Sequence, residues 1–175
     1  MRNKYASNST PVKQLATSRF VILLICMAVT GAVLGIIGKL ADAHTEHISN
    51  ILSGMSFWIM LCTIISVRSG SPRSAAAYVL ALCVPMVVLY YLTAEIFDLY
   101  YSLTFAYGWA IFALCTPILG CAAWYATGRS IISKLIACGI PASMLLITHV
   151  LFRIRIYDIM FALVTVIFLF KPIKT

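Results

Sequence analysis

Residues 20–38 read FVILLICMAVTGAVLGIIG, a stretch with no charged side chain. A helix needs about 20 apolar residues to cross the hydrocarbon of a bilayer, with a working range of roughly 17–25. Phe20–Gly38 meets that requirement, and similar runs follow it. They are Ile48–Val67, Ala75–Ala94, Leu103–Trp124, Ile131–Phe152 and a shorter one, Ile156–Phe170. Lipid offers the backbone no hydrogen-bond partner, so apolar runs of this length are expected to be helices. They show no strict apolar/polar alternation, which argues against a transmembrane barrel. The expected fold is all-α: a polytopic transmembrane bundle of six spans over residues 20–170. A basic segment, 1–19, precedes it and a short tail, 171–175, follows.

Composition supports the same class. Of 175 residues 62% are hydrophobic and 10% charged, and the mean hydropathy is +1.00. A soluble domain carries roughly 25% charged residues. The net charge of +8 does not point to nucleic acid, because no basic patch is interleaved with aromatic residues on a polar scaffold. The basic residues stand at the ends of apolar runs, which is the pattern of membrane topology.

Orientation follows from those ends. Arg2, Lys4, Lys13 and Arg19 precede the first run, Arg68 and Arg73 join the second to the third, Arg129 and Lys134 the fourth to the fifth, and Lys171 and Lys174 close the chain. Under the positive-inside rule these ten of thirteen Lys and Arg place both termini in the cytoplasm. All five acids, Asp42, Glu46, Glu95, Asp98 and Asp158, then fall outside. The leader and the segment LADAH (Leu40–His44) also resemble a signal peptide cleaved after Ala43. The apolar run is too long for the roughly 7–15 residues of a signal h-region, so it is expected to remain as a span.

Arg153 and Arg155, in LFRIRIYDIM (residues 151–160), stand outside in this topology with Lys39. Their long stems suit interfacial anchors that snorkel to the headgroups. The alternative is a ligand site. His149 and Arg153 are four apart and share a helix face, and Glu95, Asp98 and Asp158 reach the same side. The candidate ligand-binding set is therefore His149, Arg153, Arg155, Glu95, Asp98 and Asp158. An aromatic-lined outer pocket around Tyr90, Tyr91, Tyr100 and Tyr101 is a further candidate, set against the interfacial belt that such residues commonly form.

In the first span Ala28 and Ala32, and Gly31 and Gly35, are each four apart. Small residues at that spacing let a second helix approach closely, either within the bundle or on a separate membrane protein. Pro85, Pro117 and Pro141 fall within spans and remove backbone donors. The six cysteines all lie in spans and read as small apolar packing residues. His44 and His47 in the first outer loop lack the spacing of a strong metal site. No GxSxG, GxxxxGK[ST] or GxGxxG is present. An enzyme is not indicated, and neither a cofactor nor a metal is expected.

The segments SGMSFW (53–58), RSGSPRSAA (68–76), YYL (90–92) and PILGCAAW (117–124) resemble a family of small bacterial membrane proteins, a domain of unknown function. That resemblance implies a helical bundle in a bacterial cell membrane and names no activity. The chain is also similar in size and span number to the substrate-binding S components of energy-coupling-factor importers. There a small-xxx-small face on the first helix docks a partner, and Ala28 and Ala32 would match it. The expected function is small-molecule transport or ligand capture in the outer half of the bundle. The alternative is an accessory or immunity-type subunit that binds another membrane protein.

Overall fold

A computed structural model describes residues 11–45, 50–52, 54–151 and 154–170. Its helices are α1 (Pro11–His44), α2 (Met55–Val67), α3 (Pro72–Ile96), α4 (Leu103–Tyr125), α5 (Ile131–Leu151) and α6 (Ile156–Phe170), with a further helical turn at 50–52. No strand occurs among the described residues. The helices α1, α3, α4 and α5 are long and apolar enough to span a membrane, whereas α2 and α6 are shorter apolar helices. The large apolar side chains that point outward, such as Leu114, Ile118, Ile132, Val150 and Ile156, are spread over the helices. Such a surface needs lipid around it.

The helix limits differ most from the apolar runs at the starts of α1 and α2. α1 begins at Pro11, nine residues before Phe20, because no breaker separates the polar leader from the span and proline suits a first helical position. α2 begins at Met55, while residues 48, 49 and 53 of the expected second span lie outside the described residues. The leader 1–10 and the tail 171–175 also lie outside them.

α3 is the centre of the bundle, with α1 packed along one side and α4 along another. A Cβ built on Gly31 would stand 2.0 Å from the Leu82 carbonyl oxygen, and one on Gly35 2.3 Å from that of Met86. The small face of α1 therefore lies directly on the backbone of α3. Ala28 and Ala32 beside it are half-buried. Trp58 and Cys62 of α2 join Val79, Leu82, Cys83, Met86 and Val87 of α3 in the main core. The Cys62 and Cys83 sulfurs lie 3.5 Å apart, while Cys26, Cys115 and Cys138 point outward. α5 and α6 pack on each other and on α2.

Local chemistry sets the helix ends. Ser71 caps α3 by accepting the Ser74 N–H at 3.1 Å, with Pro72 as the first helical residue. Ser130 caps α5 through the Ser133 N–H in the same way. Within α4, Pro117 has no N–H to offer the Ala113 carbonyl, and the Thr116 hydroxyl donates to it at 2.7 Å instead.

At its far end α3 stops in a Schellman motif. Asp98 adopts φ 50°, its N–H donates to the Glu95 carbonyl at 3.3 Å, and the Leu99 N–H donates to that of Ala94 at 2.8 Å. Aspartate tolerates this left-handed conformation better than most residues. The turn brings Tyr100, Tyr101 and Ser102 back toward the end of α1.

Candidate functional site

Lys39 lies four residues beyond Gly35 and eight beyond Gly31, so it shares the face of α1 that meets α3. It is 3% exposed. Its Nζ donates to the Tyr100 carbonyl at 2.8 Å and to Asp42 Oδ2 at 3.3 Å, and it sits 5.2 Å from the centre of the Tyr90 ring. The Tyr90 hydroxyl donates to the same Asp42 oxygen at 2.9 Å. A charge taken out of water costs several kcal/mol unless it is paired and hydrogen-bonded. The carboxylate, carbonyl and ring together offset that cost. Asp42 stays partly wet, with 35% of its side chain exposed.

This ion pair borders an open cleft of about 500 Å3, walled by Tyr90, Tyr91, Tyr100, Tyr101, Phe105 and Trp109. Tyr91 packs edge-on against Tyr90 at 5.0 Å and against Tyr101 at 5.3 Å. Below the cleft is a narrow apolar crevice of about 40 Å3. Tyr90, Tyr91 and Trp109 border both, and Leu34, Leu52, Trp58, Met86 and Val87 complete the crevice. Trp58 is steadied there by its indole N–H, which donates to the Leu52 carbonyl at 2.6 Å. An apolar, aromatic cavity with a few fixed polar groups is the usual form of a small-molecule site.

At the rim the Tyr101 hydroxyl donates to Glu95. The hydrogen bond to the carboxylate, with its negative charge, holds the Tyr101 phenol above its ordinary ionisation range. Glu95→Gln removes the charge, so Tyr101 is expected to ionise at a lower pH in that variant. Ultraviolet titration of each background, with and without Tyr101→Phe, isolates this phenol. Identical titrations in the two backgrounds would show that the contact is not formed in solution.

Comparison with known families finds a match over residues 14–170 to a family of unknown function, DUF6518. The chain belongs to DUF6518. No curated protein and no solved structure matches it. The resemblance of the central segments to an uncharacterised membrane-protein family thus holds for most of the chain.

The DUF6518 bundle distributes the residues singled out in its sequence over separate places. Asp158 is 2% exposed where α2, α5 and α6 meet. It accepts the Ser56 hydroxyl through Oδ1 and the Arg155 backbone N–H through Oδ2, the latter at 2.9 Å. Ser56 in turn contacts the Thr148 hydroxyl at 3.0 Å. Asp158 is thus an acid at the third position of α6 that reaches back to the capping residue. It ties three helices together and does not line the cleft.

Arg155 is exposed and bonds the Tyr157 hydroxyl at 2.5 Å. Arg153 lies outside the described residues. His149 is exposed on α5, next to the buried Thr148. Glu95 and Asp98 are exposed at the end of α3 and form no ion pair with Arg155 among the described residues. Of the described members of the candidate set, Glu95 alone reaches the cleft, through Tyr101, while Asp98 shapes the turn beside it. All four residues of the tyrosine pocket suggested by sequence line the cleft, and Tyr100 meets Lys39 there through its backbone carbonyl.

Lys39, Asp42, Ser56 and Thr148 were not candidate site residues in the sequence. Lys39 carried a usable signal, since it continues the Gly31–Gly35 spacing onto a face that a second helix covers. His44 ends α1, whereas Glu46 and His47 lie outside the described residues. No group of three metal-ligating side chains comes together among the described residues.

Proposed function

We propose that this DUF6518 member is a six-span protein of a bacterial cell membrane that captures a small molecule in the Lys39 cleft. Both termini lie in the cytoplasm in this reading, and the cleft opens on the opposite face. Charge supports the orientation: Arg68, Arg73, Arg129 and Lys134 stand at one end of the helices, and Asp42, Glu95, Asp98 and Asp158 at the other. The observation that carries the capture reading is the cleft itself, an open space of about 500 Å3 walled by aromatic residues with the fixed Lys39–Asp42 pair at its edge. Capture of this kind is the binding step of a transporter or transport subunit.

A panel of small cations, anions and neutral compounds, screened by thermal unfolding of the purified protein in detergent, tests the reading. A ligand at about 100 times its Kd adds about 2.7 kcal/mol of stability. At least one compound is expected to raise the midpoint, and the rise is expected to vanish in Tyr91→Ala, which opens the cleft wall. A panel in which nothing stabilises the protein, or in which Tyr91→Ala responds like wild type, rejects the cleft as a capture site.

The accessory-subunit reading draws on the outward row Val29, Val33 and Ile37 of α1. Gly31 and Gly35 are occupied by α3, so a partner would meet that row or the half-buried Ala28 and Ala32.

A further inference from the structure

The cleft's chemistry also bears on the class of ligand, an inference that rests on the capture reading above. We infer that the ligand is an organic cation, an ammonium group carried on a small apolar or aromatic body. Three observations converge on this.

The first is that Lys39, the one cation among the described residues that line the cleft, is already committed. Lys39 is 3% exposed and its ammonium is bonded to Asp42 and the Tyr100 carbonyl. An anion would have to draw it away from a carboxylate in a poorly hydrated setting, where breaking a pair is costly. Arg155, the other described cation at this end, is bonded to Tyr157 on α6 and does not line the cleft.

The second is that, among the described residues, the exposed charges beside the cleft are acidic. Asp42 keeps 35% of its side chain exposed, Glu95 stands behind Tyr101, and Asp98 is exposed in the same turn. Among the described residues Asp42 balances Lys39, and the charge left beside the cleft is the negative one of Glu95, held against Tyr101.

The third is the ring faces. Tyr91, Tyr100, Tyr101, Phe105 and Trp109 line one space, and aromatic faces attract ammonium groups within about 6 Å. The Tyr90 and Tyr101 hydroxyls both donate to carboxylates, which enriches their rings in electron density. The protein already holds an ammonium this way, with Lys39 5.2 Å from the Tyr90 ring. The narrow crevice below accommodates a methyl-sized apolar extension of the ligand.

The ammonium could arrive on a free amine or on a zwitterionic lipid headgroup, since the cleft lies at the end of the helices. Both present the same chemistry, and the experiment separates them.

The test uses purified full-length protein in detergent, titrated with benzyltrimethylammonium, with neopentylbenzene as its uncharged analogue, and with phenylacetate. Binding is followed by thermal shift and by tryptophan fluorescence, with Trp109→Phe to assign the signal. The cation is expected to bind at least tenfold more tightly than the other two. Phe105→Leu and Tyr101→Leu are each expected to weaken it about tenfold, and Glu95→Gln severalfold. Phe105 is exposed, so its variant is expected to remain folded.

Equal or tighter binding of the neutral compound or the anion at the cleft overturns the ammonium inference and leaves capture standing. Binding by none of these probes, together with a silent wider panel, removes both. If a short-chain phosphocholine lipid displaces the bound probe and a phosphoglycerol lipid does not, the ammonium comes from a headgroup. If neither displaces it, the source is a free amine.

Discussion

Gly31→Leu is expected to leave little folded protein, and to be the most damaging single substitution in the bundle. The Cβ alone would stand 2.0 Å from the Leu82 carbonyl oxygen, and that atom belongs to a helix backbone that cannot turn aside as a side chain can. Overpacking of an ordinary core costs about 1–3 kcal/mol. Here α1 has to move off α3 along much of its length, so the loss is expected to exceed about 3 kcal/mol. Gly31→Ala is expected to fall between leucine and wild type, and Gly35→Leu to resemble Gly31→Leu, because its Cβ would lie 2.3 Å from the Met86 carbonyl oxygen. Gly139→Leu is the control, since nothing lies within 4 Å of its Cβ position. Thermal unfolding of the four variants in detergent should place Gly31→Leu and Gly35→Leu lowest, Gly31→Ala above them and Gly139→Leu highest. A Gly31→Leu protein as stable as Gly139→Leu would refute the close α1–α3 contact.

Asp158→Ala is expected to cost about 2 kcal/mol, with Asp158→Asn losing much less. Alanine leaves the Ser56 hydroxyl and the Arg155 N–H without their acceptor in a site that is 2% exposed. A buried group left unpaired costs about 1–3 kcal/mol, and interhelical hydrogen bonds in membranes fall toward the low end of such values. Asparagine keeps an acceptor for the Arg155 N–H and can donate its amide to Ser56, whose proton then serves Thr148. Denaturant unfolding of both variants distinguishes a hydrogen-bonding role from a role for the charge. If asparagine is as damaging as alanine, the charge at the start of α6 matters. If neither is destabilised, the three-helix junction does not depend on Asp158.

The helices were legible because the bilayer imposes one strong requirement on length and apolarity. Ile156–Phe170 is helical over the same residues that the sequence indicates, although it is shorter than the four helices long enough to span a membrane. The spacing of Gly31 and Gly35 was equally legible as a contact face, but spacing identifies a face and not what it meets. That α3 is the neighbour follows only from the fold. His149 and Arg153, four residues apart in the sequence, suggested a shared site; His149 is exposed on α5, and Arg153 lies outside the described residues. Arg155 likewise bonds a tyrosine two residues away and not a distant acid. Lys39 was the largest omission. A lysine just past an apolar run reads as a topology marker, and only the return of Tyr100 after the Asp98 turn shows that it is enclosed.

The Lys39–Asp42 pair also bears on how the chain is made. α1 is synthesised before its main neighbour, α3, which begins 28 residues after α1 ends, and the Tyr100 carbonyl that completes the Lys39 cage follows Lys39 by 61 residues. During that interval α1 has to reside in lipid with a lysine on the face that α3 will cover. Asp42, one turn further along the same helix, needs no other segment to reach Lys39. The helix thus carries its own counter-charge into the membrane, which lowers the cost of a lone ammonium there until the later helices arrive.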